Sequence, residues 1–349
     1  MLHVSDQRTY LVVDAGTSRT RVRLWHADRV IDELEARVGA RDVAVAGDAA
    51  PIARALRALI GSLRERHALQ PSAVVCSGMI TSDAGLVEVP HVQAPVALGE
   101  LALRLVRHDI RAITELPMYF VPGVKTVAAT ASWDTLHGFD VMRGEEAEVV
   151  GLLSALDCTL PLAFFHCGSH HKLIELAAPE HESQQQDRDP SLSASVVRSA
   201  TAITGELLAA IRQNTILASS LTALEGLEVD ADALAAGARA ARSAGFARAA
   251  FLVRVGETIA GLGRGAATSF LVGALADLDL QLIEHEASPE HEIVVYGGGL
   301  FPAIVSEMLT RAGARPVRLV PPQLSERAAT IGAVRLLEAH LSERAGART

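Results

Sequence analysis

Short apolar runs separated by glycine-bearing polar turns dominate the start of the chain. Tyr10-Leu-Val-Val-Asp14 is β-branched and ends in an acid, Gly16-Thr17-Ser18 follows, and Arg21-Val-Arg-Leu-Trp25 then alternates apolar Val22 and Leu24 with Arg21 and Arg23. This pattern predicts strand, tight glycine turn and strand, with a third strand near residues 30–38. From Pro51 to Arg66, Ile52, Leu56, Leu59, Ile60 and Leu63 recur on one helical stripe, with Pro51 in the first turn. Ala73-Val-Val-Cys76 predicts a buried strand running into a Ser77-Gly78-Met79 turn. Met118 to Val121, bracketed by Pro117 and Pro122, predicts another short strand.

A helix is expected from near Arg143 past Leu153, with Asp140 as its N-terminal cap. A second strand–turn–strand follows: Leu162 to Phe165, then His166-Cys167-Gly168-Ser169, then Lys172 to Leu176. The turns at Asp14 and His166 lie nearly half a chain apart, and each carries glycine and a hydroxyl between apolar strands. That spacing suits two homologous halves whose turns aim at one cleft. Residues 179–190 are polar and read as a loop or hairpin tip. Thr204-Gly205-Glu206 opens a helix through Leu207, Leu208 and Ile211. Residues 230–280 are alanine-rich and helical, with an interruption at Gly261 to Gly265. Glu292 to Tyr296 is a buried strand feeding Gly297-Gly298-Gly299 and a helix from about Phe301, and Pro316 to Val320 is a further strand. The last helix carries Ile331, Val334, Leu337 and Leu341. The alternation predicts an α/β protein of two lobes, residues 1–138 and 139–349. The second lobe has a helical insertion at about 190–290, and the last helix packs back on the first lobe.

Composition narrows the function classes. The 349 residues include 32 Lys plus Arg against 41 Asp plus Glu, a formal charge of −9. Hydrophobic residues at 49% and charged residues at 21% exclude wholesale disorder. No uncharged apolar run approaches the roughly 18–20 residues of a membrane helix, and Met1 to Tyr10 has no apolar signal core. The net-negative balance argues against broad nucleic-acid binding, yet permits a local basic pocket for an anionic small molecule. Cys76, Cys158 and Cys167 are too few and scattered for a disulfide framework or metal knuckle. The expectation is a soluble, cytoplasmic protein without nucleic-acid or membrane partners. Only Lys125 and Lys172 are lysines, which marks both positions for inspection.

Candidate chemistry concentrates in the turns. Consecutive backbone amides in Gly16, Thr17 and Ser18 could hold a phosphate while Asp14 binds Mg²⁺; the alternative is a hairpin turn in which Asp14 caps its own loop. Arg21 and Arg23 share a strand face and could reach a carboxylate or phosphate, or form a solvated face. Gly168, Ser169 and His170 could grip the other end of a polyphosphate, with Lys172 either neutralising charge or lying on the surface. His166 and His170 would face one way only on a helix, and the glycine between them implies a turn, so a zinc reading is set aside. Gly297, Gly298 and Gly299 depart from the G-x-G-x-x-G fingerprint; they suit backbone passing close to a ring or sugar, or a plain strand-to-helix turn. Glu145 and Glu146 satisfy the helix dipole, or one of them is a general base with Arg143 anchoring an anionic substrate. Adjacent helix positions diverge by about 100°, so the sequence leaves the choice between them open.

In this order the motifs resemble the 2-dehydro-3-deoxygalactonokinase family of sugar-acid kinases over essentially the whole chain. Asp14-Ala-Gly-Thr-Ser with Arg21 and Trp25 is similar to its first phosphate hairpin, and Ser77 to Gly85 followed by Val89-Pro-His-Val to its glycine/methionine segment. Val141-Met-Arg-Gly-Glu-Glu146 is the most specific match. Gly168-Ser-His with Lys172, Ile203-Thr-Gly-Glu-Leu207 and Gly297 to Gly299 resemble further family blocks. The resemblance implies the actin/hexokinase/Hsp70-like fold, two ribonuclease-H-like lobes with mixed sheets and flanking helices, closing on ATP and Mg²⁺. It implies phosphorylation of 2-dehydro-3-deoxy-D-galactonate at its 6-hydroxyl in galactonate catabolism. By carry-over Asp14 is the Mg²⁺-side acid and Glu145 or Glu146 the base. Arg143, Ser77, Gly78 and Met79 are then substrate-side, Gly16, Thr17, Ser18, Gly168, Ser169, His170 and Lys172 phosphate-side, and Gly297 to Gly299 lie at the adenosine. A homodimer is one assembly this leaves open. Ala15 and Leu173 stand where the family commonly has Trp, and Cys167 where it has Pro, which leaves a related sugar acid as an alternative. An exopolyphosphatase-like phosphohydrolase, sharing the fold and a Gly…Glu-Glu segment, is the competing activity. A ligand-binding regulator on a decayed kinase lobe is a third, without a helix-turn-helix or basic arm to support it.

Overall fold

The computed structural model describes residues 8–178 and 189–346, so most of the polar stretch expected as a loop lies outside the described residues. The chain opens with β1 (Thr9–Ala15), β2 (Thr20–His26) and β3 (Arg29–Ala36), then α1 (Ala40–Ala46) and α2 (Ala50–Arg66). β4 (Ala73–Gly78), β5 (Val92–Gln93), β6 (Val96–Ala97), α3 (Leu98–Leu103), β7 (Val106–His108) and β8 (Met118–Phe120) follow. β9 (Val124–Thr126) and β10 (Asp140–Met142) lead to α4 (Glu145–Ala155), β11 (Leu162–Cys167), β12 (His171–Ala177) and β13 (Ser195–Ala202). Next come α5 (Thr204–Asn214), α6 (Ala231–Ala244), α7 (Phe246–Thr258) and α8 (Arg264–Glu286). β14 (Glu292–Gly297), α9 (Phe301–Ala312), β15 (Val317–Leu319) and α10 (Pro322–Gly346) complete the order. The chain divides into two compact units. Among the described residues, one holds those up to Leu160, those between Leu176 and Ser199 and those from Gln323 onward; the other holds Pro161–Glu175 and Ala200–Pro322.

In the first unit the sheet runs β3-β2-β1-β4-β8-β7. β1 is central because its apolar run can be covered on both faces: Tyr10 to Val13 are almost wholly buried. It pairs antiparallel with β2 and parallel with β4, which places Asp14 opposite Ser77 and Ala15 opposite Gly78. The α2 stripe closes one face, with Ile52, Leu56, Ile60 and Leu63 buried against Leu11, Val13, Val74 and Cys76, and Leu59 only partly covered. Each such branched side chain contributes about 1.5–3 kcal/mol of burial. Arg21 and Arg23 do share a face, but it is not simply solvated. They sit in register with Glu35 and Glu33 of β3, and the Arg23 guanidinium is buried where its Nη1 donates to Thr330 Oγ1 of α10 at 2.7 Å.

The second unit repeats this connectivity. Its sheet runs β15-β14-β11-β12-β13, with β11, β14 and β15 parallel. β11 thus takes the place that β1 has in the first unit, and β14 the place of β4. The start of β13 belongs to the first unit, where Ser195 and Val196 pair antiparallel with Ala97 and Val96. Helices α5 to α9 supply a large apolar core to the second sheet. By length and hydropathy α8 could cross a membrane, but 72% of its most apolar window is buried within the protein.

Two local expectations need correction. Asp140 does not cap α4: it lies in β10, paired with Thr126, and the helix starts five residues later behind Gly144. Gly144 adopts φ +110°, a conformation that a residue with a Cβ rarely enters, so the chain can reverse sharply there. The alanine-rich helices break twice, at Gly245 and at residues 259–263, and Gly265 is already inside α8.

Candidate active site

The first unit gathers one set of predicted residues around the ends of β1 and β4. Gly78, the last residue of β4, has φ +83°, and a Cβ there would lie 2.6 Å from the Ala15 carbonyl oxygen. Only glycine lets the two parallel strand ends run this close, and Asp14 Oδ1 is 3.5 Å from the same point. Gly144 packs over Gly78 from the α4 side, its Cβ position 3.3 Å from the Gly78 Cα. Asp14, Ser77, Gly78 and the first turn of α4 are therefore neighbours. Met79 begins the short 3₁₀ turn that follows.

The two glutamates are not equivalent. Glu145 is partly exposed, and its Oε2 accepts from the Arg143 backbone N–H at 3.0 Å. Glu146 is 1% exposed, and both its carboxylate oxygens accept from the Gly144 N–H at 2.9 Å. Burial, reinforced by the charge of Glu145, pushes the Glu146 carboxyl up to about 8, although the Gly144 amide and Arg143 oppose the rise. Burial also raises Asp14; Arg23 opposes the shift and Glu148 adds to it. Glu148 was not singled out from sequence. Its position three residues after Glu145, on the same helix face, was the available signal.

Arg143 is held as a fixed fork. Nη1 donates to Thr81 Oγ1 at 2.8 Å, and Nη2 to the Val89 carbonyl at 2.7 Å and to His91 Nδ1 at 3.3 Å. Thr81, Val89 and His91 lie in the Ser77-to-Val92 segment, whose resemblance to the family block was the only hint of them. The exposed Gly16-Thr17-Ser18 turn, which follows β1, is tied down by α1. The Ala40 and Arg41 amides donate to the Gly16 and Thr17 carbonyls at 3.1 and 2.9 Å. Among the described residues no backbone acceptor takes the Thr17 or Ser18 amides, which are the donors an anion needs.

The second unit has a counterpart. Gly297, which ends β14 with φ +128°, lies against Cys167 as Gly78 lies against Ala15, and a Cβ there would sit 2.2 Å from the Cys167 carbonyl oxygen. Ser169, His170, Gly298 and Gly299 are exposed, with Gly168 half-buried. The Glu206 amide at the start of α5 donates to the Ser169 carbonyl at 2.8 Å, and the Glu206 carboxylate meets His170 Nε2 at 2.9 Å. Lys172 is not on the surface. It is 3% exposed, and its Nζ donates to Thr201 Oγ1 at 2.8 Å, away from the exposed tip of the turn.

Comparison with known proteins bears on this arrangement. Residues 14–334 match the family model of 2-keto-3-deoxy-galactonokinase. The chain superposes with TM-score 0.71 and 23% identity on the crystal structure of a proposed 2-dehydro-3-deoxygalactonokinase from Sinorhizobium meliloti, covering 95% of this chain and 98% of that one. Two more distant structures each reach TM-score 0.49. One is the activator of 2-hydroxyisocaproyl-CoA dehydratase from Clostridium difficile, at 10% identity over 96% of this chain and 97% of that one. The other is a xylulose kinase from Lactobacillus acidophilus, at 12% identity over 96% and 90%. No curated protein sequence matches the chain. The fold is of the actin/hexokinase/Hsp70-like α/β type, with mixed sheets and flanking helices.

Proposed function

The chain belongs to the 2-keto-3-deoxy-galactonokinase family and is a sugar-acid kinase; on that premise we propose that it transfers the γ-phosphoryl group of ATP to the 6-hydroxyl of 2-dehydro-3-deoxy-D-galactonate. The observation that carries this reading is the convergence, within one unit, of buried Glu146, the Arg143 fork and Asp14 on the Gly78 turn. Glu146 accepts the proton of the attacking hydroxyl, since a carboxyl raised to about 8 is basic enough to take it yet still ionises near neutral pH. Arg143 holds the substrate carboxylate, its fork fixed before substrate arrives. Ser77, Gly78 and Met79 shape the sugar side.

The exposed amides of Thr17 and Ser18 contact phosphate, as do Gly16, Gly168, Ser169 and His170, while Gly297 to Gly299 lie at the adenosine. Lys172 acts from beneath its turn rather than at the tip. Asp14 fits Mg²⁺: it is a hard oxygen donor whose carboxyl is raised by burial and by Glu148, and a cation beside it would offset both effects. The metal would neutralise phosphate charge as the bond to the leaving oxygen breaks. The two compact units act as the two lobes, in the cytoplasm and within galactonate catabolism. The test is ADP release with and without the sugar acid. Release that depends on the acid supports the kinase, whereas equal release in its absence favours a phosphohydrolase that activates water.

A further inference from the structure

The second unit buries a polar network that the proposed chemistry does not use. Asp279, in the middle of α8, is fully buried and receives two side chains from different elements. His171 Nδ1 lies 2.8 Å from Asp279 Oδ2, and Thr204 Oγ1 donates to Asp279 Oδ1 at 2.6 Å. With a carboxylate as its neighbour, Nδ1 is the protonated nitrogen and donates. His171 Nε2 is buried and finds no partner among the described residues. Asp279 therefore ties the first residue of β12 to the first residue of α5.

The two ends of this network bracket the Gly168–His170 turn. His171 is the residue directly after it. Thr204 opens α5, whose next residue, Gly205, abuts the turn so closely that a Cβ there would lie 2.1 Å from the Gly168 carbonyl oxygen. Glu206 then donates its amide to Ser169. The His171 ring also meets Phe301 edge-on at 4.8 Å, and Phe301 opens α9 directly behind the Gly297–Gly299 turn. One carboxylate therefore fixes both flanks of the first turn and, through the imidazole, the element behind the second.

We propose that His171, Asp279 and Thr204 are positioning residues that hold the Gly168–His170 and Gly297–Gly299 turns in their nucleotide-binding geometry. This rests on the assignment of those turns to ATP. None of the three touches substrate; each acts through the backbone it anchors.

The test is calorimetric titration of the intact protein with ATP and, separately, steady-state kinetics in the sugar acid. Thr204→Val keeps the side-chain shape and removes the hydroxyl, Thr204→Ser restores it, and Asp279→Asn provides a second break in the network. Thr204→Val is expected to weaken ATP binding roughly tenfold, the factor equivalent to 1.4 kcal/mol. The KM for the sugar acid should be unchanged, and Thr204→Ser should bind ATP as the unaltered protein does. A Thr204→Val protein that melts lower but binds ATP normally would overturn the proposal and leave the network purely structural. Equal losses in both substrates would also overturn it. Failure of the unaltered protein to bind ATP would overturn the nucleotide assignment instead.

Discussion

Glu146→Gln separates catalysis from stability with opposite signs. The carboxyl is raised from 4.5 to about 8 by burial and by Glu145. Because the folded protein holds this proton more tightly than the unfolded chain, stability falls as pH rises from about 4.5 and levels off once the folded group ionises near 8. At 1.36 kcal/mol per tenfold change in proton affinity, the ionised carboxylate costs on the order of 5 kcal/mol at high pH. Gln keeps an oxygen for the Gly144 amide and carries no charge. The variant should therefore match the parent's thermal midpoint near pH 5 and exceed it increasingly toward pH 9. Its turnover should fall by a factor of about 10²–10⁴, the usual contribution of a positioned base. In the parent enzyme the base must be ionised, so kcat/KM should climb with pH and level off above about 8. Differential scanning calorimetry and a pH–rate profile of both proteins read these effects. A flat profile from pH 6 to 9, or a variant within threefold of parental turnover, would remove Glu146 as the base.

Asp14→Asn should reduce phosphoryl transfer at least a hundredfold with little loss of thermal midpoint, because desolvation already raises this half-buried carboxyl and neutralising it costs the fold little; near-normal turnover would refute its metal-side role. Arg143→Gln should raise the KM for the sugar acid far more than that for ATP in steady-state kinetics. Gly78→Ala and Gly297→Ala should both destabilise the protein, since each new methyl meets a carbonyl oxygen within 2.6 Å at positive φ; circular-dichroism melts check this. Native alkylation should label Cys158 first, because Cys76 and Cys167 are buried and burial pushes both thiols up, whereas all three should react in denaturant.

Much of the fold was legible because period and burial coincide. Tyr10 to Val13, Ala73 to Cys76 and Leu162 to Phe165 are unbroken apolar runs, and each became a strand buried on both faces. The α2 stripe was readable for the same reason. The repeat of the strand–glycine–strand pattern anticipated the repeated connectivity of the two sheets. What escaped depends on partners distant in sequence. Arg23 reads like Arg21 until α10 brings Thr330 against it. Lys172 lies in an ordinary strand pattern, and only the neighbouring strand supplies Thr201. Asp279 carries no signal of its own in an alanine-rich helical stretch, yet it meets His171 and Thr204 from two other elements. The inequality of Glu145 and Glu146 arises from packing around Gly144, whose φ of +110° no periodicity reveals. The expectation that Asp140 caps α4 failed because a capping pattern says nothing of pairing, and Asp140 pairs with β9.

The most direct measurement is mass spectrometry of the products formed from ATP and a panel of 2-keto-3-deoxy sugar acids. The account predicts a monophosphorylated 2-dehydro-3-deoxy-D-galactonate, formed one for one with ADP and lost in Glu146→Gln. ADP and free phosphate accumulating with every acid recovered unmodified would contradict it.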